Sequence, residues 1–137
     1  MSIKRIDHIA VVVNNLDTAL ATYRDALGMT VSGIETILEQ DVKIGFLPSG
    51  DSEIELLEPI NPDSGIGRYL AKRGEGLHHI CLEVDDILQT LADLKARGVE
   101  LIQETPQRGA HGKVAFIHPK GASGVLIELL ERDAGAS

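Results

Sequence analysis

An internal repeat is the feature of this 137-residue sequence that most restricts its fold. The segment that starts at Asp7 reads DHIAVVVNNLDTALATYRDALGMTV, and the one that starts at His78 reads HHICLEVDDILQTLADLKARGVELI. Each copy has a His-Ile pair, then two polar residues, then apolar residues at helical spacing that end at a Gly. The pentapeptide IELLE also occurs twice, at residues 54–58 and 127–131. The chain is therefore predicted to contain two copies of one structural unit.

Each copy is predicted to have the order βαβββ. Alternating and β-branched positions predict strands, and apolar residues at i, i+4 and i+7 predict a helix that ends near a glycine. In the first copy the strands fall at residues 6–13, 30–38, 42–47 and 53–57, with a helix at 17–27. In the second they fall at 77–84, 100–104, 114–117 and 125–130, with a helix at 87–97. We expect one domain over 1–137, made of a first module (about 4–60), a linker (about 61–75) that includes a short helix, and a second module (about 76–131).

Composition excludes several classes of function. A net charge of −8 and the presence of only two Phe, two Tyr and no Trp argue against a nucleic-acid-binding protein. The apolar runs are too short to cross a membrane. The N-terminal apolar run is broken by Asn14-Asn15 without a cleavage site, so we predict a strand there and not a signal peptide. The single cysteine, Cys81, excludes an internal disulfide and favours a cytoplasmic location.

The His and Glu residues that recur in both copies predict a metal site. His8 and His79 open the first strands, while Glu55 and Glu128 interrupt apolar last strands at matching distances of 47 and 49 residues. A single His or Glu in such a place is usually structural, but recurrence in both copies favours a shared role. A carboxylate that faces a core must be paired or bound to a cation. If a pseudo-twofold axis relates the copies, all four side chains would surround one divalent ion, and mixed imidazole and carboxylate ligands suit Co²⁺, Mn²⁺, Ni²⁺, Zn²⁺ or Fe²⁺.

Four segments carry a family resemblance. They are IDHIAVVV at the start, IELLEP at 54–59, GEGLHHICLEVDDI at 74–87 and GAHGKVAFIHPKGASGVLIEL at 109–129. On these segments the chain resembles the vicinal oxygen chelate superfamily and, within it, the methylmalonyl-CoA epimerases, over roughly residues 4–131. The resemblance implies an α+β fold in which two tandem βαβββ modules form an open, cup-shaped, eight-stranded mixed sheet. It also implies one divalent metal ion per chain, Co²⁺ first, held by His8, Glu55, His79 and Glu128. Some relatives have Gln where this chain has Glu55.

The implied reaction is a 1,1-proton transfer that interconverts the (R) and (S) epimers of methylmalonyl-CoA. A metal ion that chelates the thioester and carboxylate oxygens would stabilise the enolate. Inversion then needs a base on each face of the carbon, or one base that reaches both. Glu128 is a candidate for one face. Lys43, the only ionisable group in its predicted strand, is a candidate for the other, as are a water molecule and the neighbouring Glu39 and Asp41.

Further expectations concern the substrate, the assembly and the rival functions. Cations should surround the coenzyme A phosphates, and the candidates are Lys72, Arg73, Lys113 and Lys120.

A homodimer is expected because edge strands of small paired-module proteins are often covered by a partner. The main alternative is glyoxalase I (lactoylglutathione lyase), which would act on a glutathione hemithioacetal. A non-catalytic binding or resistance protein of the same fold is the second alternative, and the 3% aromatic content argues against it.

Overall fold

A computed structural model describes residues 2–135 and contains eight strands and three helices. The strands are β1 (Ile3–Val12), β2 (Gly33–Ile37), β3 (Val42–Ser49), β4 (Ser52–Pro59), β5 (Gly76–Val84), β6 (Gln107–Arg108), β7 (Gly112–Ile117) and β8 (Ile127–Arg132). The helices are α1 (Leu16–Leu20), α2 (Gly65–Arg73) and α3 (Ile87–Ala96). A π-helical turn, Ala21–Ala26, continues α1. None of the helices in the described residues is both long and apolar enough to span a membrane.

The chain forms two compact units. The N-terminal unit is His8–His78, and the C-terminal unit combines residues 2–7 with residues 79–135. The strand order is β2-β3-β4-β1 in the N-terminal unit and β1-β5-β8-β7-β6 in the C-terminal unit. β1 occurs in both orders because its residues up to Asp7 belong to the C-terminal unit and its residues from His8 belong to the N-terminal unit. β1 is parallel to β4, and β5 is parallel to β8; the hairpins β2–β3, β3–β4, β6–β7 and β7–β8 are antiparallel. The predicted α+β class with mixed sheet is confirmed.

In the N-terminal unit, one face of the sheet packs on α1. Leu16 and Leu20 of the helix are buried against Leu47 and Leu56 of the strands. The side chain of Asn15 caps the helix by accepting a hydrogen bond from the backbone N–H of Thr18. Because side chains alternate along a strand, the neighbours of these leucines point to the opposite face.

The C-terminal unit repeats this packing. Ile87 and Leu91 of α3 are buried against Ala115 and Leu129 of the sheet. Asp86 caps the helix through the backbone N–H of Gln89. The two units therefore each have one face covered by a helix and one face that carries the matched His and Glu.

The strand predicted at 100–104 is wrong. Leu101 forms only an isolated bridge to Ile117, and the short β6 lies later in the chain. The side-chain oxygen of Gln103 accepts the backbone N–H of Phe116 at 3.2 Å, in the place where a ladder carbonyl would act. Pro106, which has no backbone N–H, then precedes β6. Periodicity does not reveal such a side-chain substitute for a backbone hydrogen bond.

Candidate metal centre

In the N-terminal unit, His8 and Glu55 lie on the sheet face that is not covered by α1. Ala10 of β1 is paired with Glu55 of β4, and His8 lies two residues before Ala10, so all three point to one face. The His8 Nδ1 atom is 3.4 Å from the Glu55 Oε2 atom. The two side chains are only 11% and 15% exposed. A buried imidazole and a buried carboxylate are thus held side by side.

The C-terminal unit has the same arrangement. Cys81 of β5 is paired with Glu128 of β8, and His79 lies two residues before Cys81. The His79 Nε2 atom is 3.2 Å from the Glu128 Oε1 atom, and the side chains are 12% and 15% exposed. Phe116 of β7 is paired with Glu128 of β8. The Phe116 ring stands edge-on to the His79 ring, with 6.4 Å between the ring centroids. The repeat in the sequence is therefore a repeat of local geometry.

These donor groups fit a divalent cation. Neutral imidazole nitrogen and carboxylate oxygen are standard ligands of first-row divalent metals. Burial disfavours a charged carboxylate unless a positive charge compensates it, and a divalent ion provides that charge. Each unit therefore supplies one potential imidazole ligand and one potential carboxylate ligand.

The second glutamate of each IELLE pentapeptide has a structural role that the sequence analysis missed. Glu58 and Glu131 are three residues after Glu55 and Glu128, so in a strand they point to the opposite face, towards the helix. The Glu58 Oε1 atom accepts the backbone N–H of Leu16 at 2.6 Å. The Glu131 Oε1 atom accepts the backbone N–H of Ile87 at 2.9 Å. The spacing of three within a strand was the available signal, because it assigns the two carboxylates to different faces.

The register of β3 contradicts the assignment of Lys43 as a base beside Glu55. Lys43 is paired with Glu58, whereas Glu55 is paired with Phe46. Lys43 therefore shares the helix-covered face with Gly45, where an added Cβ would lie 3.0 Å from the Leu16 Cδ1 atom. Glu39 lies in a 3₁₀ turn, Leu38–Gln40, between β2 and β3 and is exposed. Lys43 points away from the face that carries Glu55.

The four candidate phosphate-binding cations lie in different environments. Lys72 and Arg73 are exposed at the C-terminal end of α2, and the Arg73 guanidinium lies 5.4 Å from the centroid of the Tyr69 ring. Lys120 is exposed in a 3₁₀ turn, Pro119–Gly121. Lys113 is paired with Glu131, so it lies on the helix-covered face, opposite to Glu128. Its role as a phosphate contact stays a prediction.

Comparison with known proteins identifies the family. Residues 7–116 match the model of the Glyoxalase/Bleomycin resistance protein/Dioxygenase superfamily. The mitochondrial methylmalonyl-CoA epimerase of Mus musculus is 42% identical over 91% of this chain and 71% of its own length. An ethylmalonyl-CoA/methylmalonyl-CoA epimerase of Cereibacter sphaeroides is 40% identical over 93% of this chain and 97% of its own length.

A solved structure supports the same assignment. A methylmalonyl-CoA epimerase in complex with methylmalonyl-CoA and NH₄⁺ superposes with a TM-score of 0.84 and 38% identity, over 99% of each chain. By contrast, a probable lactoylglutathione lyase of Vibrio cholerae is only 30% identical, over 96% of this chain and 93% of its own length. The resemblance and the fold predicted from the sequence are confirmed. The chain belongs to the methylmalonyl-CoA epimerase family of enzymes within the Glyoxalase/Bleomycin resistance protein/Dioxygenase superfamily.

Proposed function

We propose that this protein interconverts the (R) and (S) epimers of methylmalonyl-CoA by 1,1-proton transfer at the carbon between the thioester and the carboxylate. The observation that carries the proposal is the buried His–Glu pair found at the same strand positions in both units of a chain from this family. Such a pair provides nitrogen and oxygen ligands in a place that excludes most water. Structure neighbours that carry the epimerase name support the choice of reaction.

We infer that His8, Glu55, His79 and Glu128 together hold one divalent ion, with Co²⁺ as the first candidate and Mn²⁺, Ni²⁺ or Zn²⁺ as the others. The donor set and the family support this ligand set. When bound, the ion would polarise the thioester and carboxylate oxygens and stabilise the negative charge that develops as the α-proton leaves. The two glutamates would also neutralise the charge of the ion.

Glu128 is proposed to take or return the proton on one face of the α-carbon, as the sequence analysis suggested. For the other face we propose Glu39 in place of Lys43, whose side chain points to the helix-covered face. Asp41, the other carboxylate of this turn, has a structural explanation. It adopts a left-handed conformation at φ 52°, which Asp tolerates better than most residues, and its carbonyl accepts the backbone N–H of Ile60. One carboxylate accepts the proton from the α-carbon, and the protonated form of the other delivers a proton to the opposite face.

The coenzyme A phosphates are proposed to contact Lys72 and Arg73 of α2, with Lys120 as a further candidate. α2 carries Arg68, Lys72 and Arg73 and no acidic residue, although the chain as a whole has a net charge of −8. A local cationic surface on an acidic protein favours a polyanionic ligand. Lys113, on the helix-covered face of β7, is the weakest of the four candidates. We also propose a cytoplasmic homodimer. The edge strands β2 and β6 support the dimer, and the single cysteine, Cys81, supports the location.

Proton exchange followed by NMR tests the proposal. The purified protein would be stripped of metal, reloaded with Co²⁺ and given (R)-methylmalonyl-CoA in D₂O. We expect deuterium at the α-carbon and formation of the (S) epimer only in the metal-loaded sample, and loss of both in the Glu128→Gln variant. The absence of exchange in a sample that binds Co²⁺ would refute the epimerase proposal. The glutathione hemithioacetal of methylglyoxal, offered to the same sample, tests the lyase alternative.

Variants of the two turn carboxylates test the second base. Glu39→Gln should lower turnover at least about 100-fold, within the range of general acid–base catalysis. Asp41→Asn, which keeps the side-chain size and tolerates the left-handed backbone, is the matched control and should retain most of the activity. The reverse ranking would reject Glu39 as the base.

A further inference from the structure

A network of charged side chains that includes Asp7, Arg132, Arg5 and Glu83 lies within the C-terminal unit, and the Lys4 Nζ atom is 3.7 Å from the Glu83 Oε2 atom. The Asp7 Oδ1 atom accepts hydrogen bonds from Arg132 Nη2 at 2.7 Å, Arg132 Nε at 3.1 Å and Arg5 Nη2 at 3.0 Å. The Arg5 Nε atom donates to the Glu83 Oε1 atom at 2.7 Å. The Asp7 and Glu83 side chains are only 7% and 10% exposed, and that of Arg132 is 20% exposed. Two arginines thus neutralise two buried carboxylates.

A network of this kind is not needed for stability alone. Desolvation of buried charges offsets most of their mutual attraction, and apolar side chains of similar volume often stabilise a fold equally well. Buried ion pairs are better suited to fixing one arrangement of the chain, because their geometry is specific. In this protein, Asp7 lies at the point where the chain passes from the C-terminal unit to the N-terminal unit.

Asp7 is the last residue that belongs to the C-terminal unit before the chain enters the N-terminal unit at His8. Arg132 lies on β8, four residues after Glu128, so alternation places both side chains on one face of that strand. The Asp7–Arg132 ion pair therefore fixes the residue before His8 to the strand that carries Glu128. His8 follows Asp7 directly, joined to it by one peptide bond.

We propose that Asp7 and Arg132 are positioning residues for metal binding: their ion pair holds His8 in the place where it can share an ion with Glu128. This inference rests on the proposed metal site. Groups that orient a metal ligand without touching the metal typically change affinity about 10- to 100-fold when they are removed. Neither residue is proposed to contact the ion or the substrate.

The direction in which metal affinity changes when Arg132 is replaced distinguishes a positioning role from simple electrostatic repulsion. Loss of a positive charge near a cation should tighten metal binding if only through-space repulsion matters. Loss of the anchor for His8 should weaken it. Arg132→Gln removes the charge and the two hydrogen bonds to the Asp7 Oδ1 atom, while Arg5 still donates to Asp7 and keeps the carboxylate compensated.

The experiment is a Co²⁺ titration of metal-free protein, followed by calorimetry and by the absorption bands of the bound ion. We expect Arg132→Gln and Asp7→Asn each to weaken Co²⁺ binding by about tenfold or more, and Arg132→Lys to restore part of it. Glu83→Gln, which breaks the same network at its other end, is the matched control and should stay within about twofold of the unmodified protein. Urea unfolding of each metal-free variant verifies that the proteins compared are folded.

Two results would overturn the inference. Tighter or unchanged Co²⁺ binding by Arg132→Gln would show that the pair does not position His8, and so would equal losses in Asp7→Asn and Glu83→Gln. The unmodified protein and a His8→Gln variant test the proposed site itself. If the unmodified protein does not bind Co²⁺, or if His8→Gln binds it as tightly, the metal site fails and this inference fails with it. If His8→Gln loses binding but the arginine variant does not, only the positioning role fails.

Discussion

The two glutamates of the repeated pentapeptide should give opposite results when each is changed to glutamine. Glu131 accepts the backbone N–H of Ile87 at 2.9 Å, at the first residue of α3, and Ile87 is fully buried. A hydrogen bond to a charged group contributes about 1 kcal/mol more than one to a neutral group. An anion at a helix N-terminus adds about 0.3–1 kcal/mol. We therefore expect Glu131→Gln to lower the free energy of unfolding by about 1–2 kcal/mol.

Urea unfolding of the metal-free protein measures this loss. With a slope of about 2 kcal/mol per molar urea for a chain of this size, the midpoint should fall by about 0.5–1 M. Co²⁺ affinity should change less than about twofold, because Glu131 points to the helix-covered face. In Glu128→Gln the pattern should be reversed, with Co²⁺ affinity reduced at least about tenfold and the urea midpoint within about 0.25 M of the unmodified protein. The reasoning is refuted if Glu131→Gln keeps the urea midpoint unchanged or weakens Co²⁺ binding as much as Glu128→Gln does.

Three further predictions concern stability and titration. Gly112→Ala should destabilise the protein by at least about 3 kcal/mol in urea unfolding, because an added Cβ would lie 2.0 Å from the carbonyl oxygen of Glu131. Leu20→Ala should cost about 2–5 kcal/mol by the same assay, because Leu20 is 1% exposed in the core beneath α1. Hydrogen bonds from the backbone N–H and then the hydroxyl of Ser2 hold the pKa of Asp85 below its usual range. This contribution to stability is present above the usual carboxyl pKa and is lost as the pH falls through the lowered value; Ser2→Ala should raise the Asp85 pKa in an NMR titration.

Much of the fold follows from the repeat because each copy carries its own local signals. Asn15 and Asp86 cap the helices at matching places, and glycines end them at Gly28 and Gly98, whose φ angles of 77° and 76° favour that residue. The His–Glu pairs were also predictable, because a His at the start of one strand and a Glu within a later apolar strand recur at matching distances in both copies. The ligand set itself stays a prediction, as do the boundaries of the two modules and the linker.

The strand that carries Lys43 shows how a hairpin limits prediction from sequence. In β3 and β4, Ser49 is paired with Ser52, so two residues, Gly50 and Asp51, form the turn. A turn with one residue more would shift the pairing by one and move every side chain of β3 to the opposite face. The sequence around Pro48 is compatible with turns of different length, so alternation alone could not assign Lys43 to a face.

The connection between the two repeats could not be read from either repeat alone. The chain passes between the compact units at Asp7–His8 and again at His78–His79, immediately before each matched histidine. Asp7 is held within the C-terminal unit by Arg132. Leu77 and His78 are held within the N-terminal unit, where the Tyr69 hydroxyl donates to the Leu77 carbonyl at 3.0 Å and the Tyr69 ring contacts the His78 ring edge-on.

These two contacts differ in chemistry and in reach: Asp7 and Arg132 form an ion pair 125 residues apart, and Tyr69 makes an aromatic contact to His78, nine residues away. Local periodicity detects neither, because each depends on how one element packs against another. Their common result is that the residue before each histidine is fixed by its own unit, while the histidine begins the other. The peptide bond before each histidine therefore joins a residue held by one unit to a residue held by the other. Such restraint suits a metal ligand, whose nitrogen must keep a precise position. The repeat thus explains which side chains recur, and the two contacts explain how the residue before each histidine is fixed within its own unit.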